Sequence, residues 1–133
     1  MTIQTELTTR LEADGPLAAL ISSRIYPAKI PVDATFPLIM YQTDGIDRTY
    51  AFSGAIDAKE ADIRYDCIGD RYSTARSVAA AVISSLDGYT GTLGSLLIHA
   101  IFVDDERDGR MLESADDDSL KYVVHISIRC VYE

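Results

Sequence analysis

The spacing of apolar positions changes along the chain, and each change predicts an element. Ile3, Leu7 and Leu11 recur at four-residue intervals, the spacing of one helix face, and Thr2 can cap that helix. Asp14-Gly15-Pro16 stops it and starts a second, short helical segment with proline in its first turn, whose apolar face is Leu17, Leu20 and Ile21. From Arg24 to Pro37 the prolines at 27, 31 and 37 forbid helix and favour an extended, turn-rich chain. A first strand is predicted over Leu38 to Thr43, closed by a turn at Asp44-Gly45, and residues 43–59 read as a long hairpin arm or loop.

From Glu60 the alternation is strict, with Ala61, Ile63, Tyr65 and Cys67 on one face and Glu60, Asp62, Arg64 and Asp66 on the other, which predicts a half-buried strand. Ala75, Val78, Ala79, Val82, Ile83 and Leu86 then follow helical spacing up to Asp87-Gly88. Leu96 to Val103 is an apolar run of strand length. Lys121 to Tyr132 alternates again, with Tyr122, Val124, Ile126, Ile128, Cys130 and Tyr132 inward and Lys121, His125, Ser127 and Arg129 outward. These elements predict an α+β fold in the order α-β-β-α-β-β, a mostly antiparallel four-stranded sheet with helices packed on one face. Its 133 residues suit a single domain over 1–133, with the arm at 43–59 and an acidic loop at 104–118 as insertions.

Charge sharpens this picture. The formal net charge is −9, and 104–118 holds eight acidic residues against Arg107 and Arg110, a local −6. The scattered Lys and Arg give no footprint for a phosphate backbone, so tight nucleic-acid binding is not expected, although an acidic wall would suit a duplex that must slide past it. No apolar stretch approaches the ~20 residues that span a bilayer, so no membrane partner is expected. The opening Met-Thr-Ile-Gln-Thr-Glu has neither a basic nor an apolar leader region, which points to a reduced cytosolic setting and to free buried thiols at Cys67 and Cys130 rather than a disulfide.

Candidate chemistry is sparse. Asp104-Asp105-Glu106-Arg107-Asp108-Gly109 resembles the opening of a calcium loop, but Ala115 stands where the twelfth-position carboxylate belongs and the flanks predict strands. His99 and His125 could approach each other across the last two strands, yet nothing supplies a third zinc ligand. Neither nucleophile elbow nor phosphate loop is present. No catalytic, cofactor or metal residue is assigned. The candidates are contact residues instead. Arg48, Tyr50 and Phe52 lie in a polar connection where aromatics either pack back or meet a partner, and Met111 and Leu112 interrupt the acidic block. Asp104, Asp105, Glu106, Asp108, Asp116, Asp117 and Asp118 are the candidate partner-facing or channel-facing acids.

Taken in order, the N-terminal helix, Arg24-Ile25-Tyr26-Pro27, Phe36-Pro37-Leu38-Ile39-Met40-Tyr41, the alternating strand, Tyr72-Ser73-Thr74-Ala75-Arg76 opening the central helix and the closing alternating strand resemble the tail-completion, or tail-terminator, proteins of long-tailed bacteriophages and prophages. The resemblance covers nearly the whole chain, although Leu38 stands where many relatives are expected to carry an aromatic residue. It implies a structural virion protein, not an enzyme, that forms a homo-oligomeric ring, with six copies expected, at the head-proximal end of the tail. Such a ring ends tube growth and joins tail to head, so its implied partners are further copies of itself, the tail tube protein and a head-completion or connector protein. DNA would pass nearby without specific binding, and assembly would occur in the host cytoplasm. The alternatives are another oligomeric head-tail connector or adaptor and, further off, a metal-dependent ligand-binding domain or an enzyme.

Overall fold

A computed structural model describes residues 2–51, 54–109, 112–113 and 120–133. Two helices open the chain, α1 (Ile3–Glu12) and α2 (Gly15–Ile21). The Thr2 hydroxyl accepts from the Thr5 amide at 3.2 Å and the Asp14 carboxylate from the Leu17 amide at 3.0 Å, so each helix has a side-chain N-cap. The strands are β1 (Ile25–Pro27), β2 (Leu38–Ala51), β3 (Gly54–Gly69), β4 (Gly91–Leu93), β5 (Leu96–Asp108), β6 (Leu112–Glu113) and β7 (Leu120–Tyr132), and α3 (Tyr72–Leu86) lies between β3 and β4.

The sheet runs β1-β2-β3-β7-β5-β4, a mixed six-stranded path curled into a half-barrel, with β6 added on β7. The four-stranded, mostly antiparallel sheet in the order α-β-β-α-β-β is therefore wrong, for four local reasons. Ile25-Tyr26-Pro27 does form a strand, parallel to β2, because at the sheet edge the missing Pro27 N–H removes no ladder bond. Asp44-Gly45 is not a turn. Thr43 faces Ile63 and Gly45 faces Asp62, so Asp44 is the extra residue of a β-bulge and β2 continues to Ala51. The glycine-rich stretch after α3 makes a two-residue hairpin, β4–β5, with Gly94 at φ +59 in the left-handed region. Finally, the segment expected as an acidic loop is strand as far as Asp108.

The readings of α3, of Glu60–Cys67, of Leu96–Val103 and of Lys121–Tyr132 as elements agree with the structure, except that Lys121, expected to face outward, is buried. Ala61, Ile63, Tyr65 and Cys67 lie cross-strand from Cys130, Ile128, Ile126 and Val124, all buried beneath Ala75, Val78, Ala79, Val82 and Leu86 of α3. Burying each Val, Leu or Ile of this face contributes about 1.5–3 kcal/mol, so this layer is the main source of stability. At the other end of the opposite face, Leu38, Ile68 and Val123 form a second cluster, closed over by Ile30, Ala34 and Phe36 from the proline-rich segment.

Register shows what leaves this frame. β7 ends at Tyr132, opposite Lys59, so the β2–β3 hairpin beyond Lys59 has no neighbour on β7 and projects by about 16 Å at ~3.3 Å per residue. At the opposite end β3 stops at Gly69, facing Tyr122, while β6 and β7 pair on to Glu113 and Leu120. Two hairpins thus depart from opposite ends of one sheet.

Candidate assembly surfaces

The first hairpin carries the aromatic candidates. Arg48 is exposed and lies cross-strand from Lys59, whose amine sits 6.0 Å from the Tyr132 ring centre. Tyr50 pairs with Ala55 in the projecting part. Phe52 lies outside the described residues.

The second hairpin begins with the acidic end of β5, where Asp104, Asp105, Glu106 and Asp108 are strand residues rather than loop ligands. Each has a cation. Asp104 is 3.4 Å from Arg129, Asp105 is 3.5 Å from Arg107, and Arg76 of α3 reaches Glu106 at 3.5 Å and Asp108 at 2.8 Å. The Tyr72 hydroxyl also donates to Asp108 at 3.0 Å and accepts from Arg76 Nε at 3.0 Å. That hydrogen bond first, and then Asp108 and Glu106, raise the pKa of the Arg76 guanidinium above its usual value. A pleated strand cannot wrap these carboxylates around one cation, which removes the calcium reading on geometry. Leu112 lies in β6 opposite Lys121, whereas Met111, Asp116, Asp117 and Asp118 fall outside the described residues.

The sheet face opposite α3 carries charge across three strands. Glu60, Asp62, Arg64 and Asp66 of β3 lie opposite Val131, Arg129, Ser127 and His125 of β7. Asp66, only 5% exposed, accepts from His125 Nδ1 and lies 3.3 Å from Arg64 Nε. Arg129 sits between Glu60 at 3.7 Å and Asp104 at 3.4 Å, with its guanidinium 4.9 Å from the Phe102 ring centre. The Nε atoms of Arg64 and Arg129 are buried within ion-pair range of these carboxylates but make no aligned hydrogen bond. Sequence reasoning missed these groupings. Their signal was the outward half of the alternation on β3 and β7, which fixes a face but not the cross-strand partner.

The two histidines stay apart. His125 pairs with Arg107, while His99 lies at the start of β5 and binds Glu133 at 2.9 Å. Among the described residues no group of three or more His, Cys, Asp or Glu could hold a metal ion. Both cysteines are free and buried. Burial pushes the Cys130 thiol up to about 12 and drives those of Cys67 and the Tyr65 phenol higher still, so none is an activated nucleophile.

The described residues form a small α+β scaffold from which two hairpins leave at opposite ends of one sheet. The chain belongs to the Tail completion protein gp17 family, whose model matches residues 5–131. It is a structural tail protein of a phage-type virion, joining tail to head. Its fold is similar to that of a chain in the virion of a native gene transfer agent particle, with 21% sequence identity, a TM-score of 0.76, and coverage of 98% of this chain and 94% of that one. No curated protein matches the sequence.

Proposed function

We propose that copies of this chain close into a ring, six being the expected number, at the head-proximal end of the tail. There the ring stops growth of the tube and presents a docking surface to the head-completion or connector protein, with no catalytic step and no cofactor. The observation that carries this reading is the pair of unlike hairpins at opposite ends of the sheet. A closed ring needs heterologous contacts, so each protomer must offer two different complementary surfaces. Arg48, Tyr50 and Phe52 on one hairpin and Met111 and Leu112 on the other belong to those contacts. The acidic residues Asp104, Asp105, Glu106, Asp108 and Asp116 to Asp118 face a partner or the channel, where like charge keeps passing DNA from binding. The chain acts as one domain and assembles in the host cytoplasm before it enters the virion.

Electron microscopy of lysates from a virus lacking this gene tests the proposal. Filled heads beside unattached tails of excessive and variable length are expected. Joined particles with tails of normal length would overturn it.

A further inference from the structure

Two long strand edges of the sheet are open. β1 covers only Ile39 to Tyr41 of β2, so among the described residues no strand lies outside β2 from Gln42 onward. At the other end of the sheet β4 covers only Leu96 to Ile98 of β5, and the same holds for β5 from His99 to Asp108. Such an edge is a row of backbone donors and acceptors ready for a further strand. β2 is antiparallel to β3, β3 to β7 and β7 to β5, so β2 and β5 run in opposite directions. Cyclic symmetry keeps the up or down sense of every strand, so the β5 edge of one copy meets the β2 edge of the next in antiparallel ladder geometry.

Resting on the reading of a self-assembling ring, we propose that β2 of one copy pairs with β5 of the next, with Asp47 opposite Arg107 and Arg48 opposite Glu106. Both edges are regular there. β2 runs without a register shift from Gly45 to Arg48, and β5 does so from Asp105 to Asp108. The faces agree as well. Ile46 lies opposite Ala61 and Glu106 opposite Ile126, both buried beneath α3, so Arg48 and Glu106 share the α3 side while Asp47 and Arg107 share the other. A slip of one residue would part both pairs, and a slip of two would set Asp47 against Asp105 or Gly109.

Charge singles out this register. Within one copy Asp47 lies cross-strand from Glu60 and Arg48 from Lys59, each opposite a like charge, so each gains from an opposite charge brought by a second copy. The other acids of these edges are spared a clash. Asp44 lies outside the paired run, Asp104 is 3.4 Å from Arg129, Asp105 is 3.5 Å from Arg107, and Asp108, which falls opposite Ile46, is 2.8 Å from Arg76. The register also sets a shape. Asp47, Glu60, Val131 and Ala100 lie on one level across the four strands, and Arg107 is as far from that level as His125 is from Val131. Joining Asp47 to Arg107 therefore offsets successive copies by about 20 Å along the strands, at ~3.3 Å per residue, over a width of about 19 Å for four strands ~4.8 Å apart. The strands then lean at about 45° to the ring axis, within the ~35–45° of closed barrels.

Sedimentation velocity and native mass spectrometry of the purified full chain test this by reversing charge on one edge at a time. Asp47→Arg sets arginine against arginine at every contact, and Arg107→Asp sets aspartate against aspartate. Asp47 is exposed and the Arg107 side chain is 62% exposed, so both chains should fold, which circular dichroism checks. Arg48→Glu and Glu106→Arg take their place if either misfolds. The wild type is expected to assemble, and each variant alone to need at least about tenfold more protein to do so. An equimolar mixture of the two variants alternates around the ring, sets arginine against aspartate at every contact and should assemble like the wild type. Single variants that assemble like the wild type, or a mixture that stays apart, overturn the contact while leaving self-assembly standing. A wild type that is monomeric at every concentration overturns the ring reading itself, and the contact with it.

Discussion

Gly109 joins β5 to β6, and replacing it with alanine probes how the acidic hairpin is fixed. Its amide donates to the Val123 carbonyl at 2.8 Å, and an added Cβ would collide with the His125 imidazole, 2.7 Å from Cδ2 and 3.1 Å from Cε1. The imidazole has little room to retreat, because its Nδ1 is held by Asp66, itself only 5% exposed. Overpacking of this kind costs about 1–3 kcal/mol. For a chain of 133 residues the unfolding entropy is about 0.28 kcal/mol/K, so Gly109→Ala should lower Tm by about 4–11 °C. Differential scanning calorimetry of Gly109→Ala, His125→Ala and the double variant separates a clash from a generic backbone effect. With His125 gone the obstruction disappears, and the coupling energy should reach about 1 kcal/mol or more in the direction of rescue. A Gly109→Ala chain that melts within about a degree of wild type would refute the reasoning. So would a penalty that persists undiminished in the His125→Ala background.

Tyr50→Ala combined with Phe52→Ala should leave the domain folded yet abolish tail joining, and unchanged particle yield in a complementation assay would remove these residues from the interface. Neutralising Asp116, Asp117 and Asp118 to asparagine should change stability by less than about 0.5 kcal/mol, and a large fall in Tm would give that segment a structural role. The buried thiols set an alkaline limit. Burial raises Cys130 from 9.0 to about 12, so the unfolded chain ionises first, and stability is intact below about pH 9 and falls between about 9 and 12. The slope is up to about 1.4 kcal/mol per pH unit for each such thiol. Urea unfolding across that range checks it, and a Cys130→Ala chain with an unchanged slope would contradict the assignment.

Local periodicity made the centre of the fold legible. The alternation of β3 and β7 and the helical spacing of α3 each describe an element with one buried face, and burial of that face decides the outcome. The edges were not legible, because what forms there depends on distant partners. Ile25-Tyr26-Pro27 is too short and too proline-marked to read as a strand, and it exists only because Ile39 to Tyr41 lie beside it. Asp44-Gly45 carries the chemistry of a turn, but the neighbouring β3 ladder absorbs it as a bulge. The run from Asp104 to Asp108 reads as a solvated loop, yet its carboxylates are met by Arg129 and by Arg76, which lies about thirty residues away in α3, and β7 supplies the ladder. For the candidate surfaces, composition marked the acidic block and the aromatic arm. The pairings of Asp66 with His125 and of Arg129 with Phe102 needed the register between strands.

Cryo-electron microscopy of the intact particle tests the central claim most directly. The account predicts a closed ring of this fold at the junction of tail tube and head, with the acidic strand β5 facing the channel or a neighbouring protein. Density for the chain at the distal tip of the tail, or a head-tail junction built without it, would contradict the account.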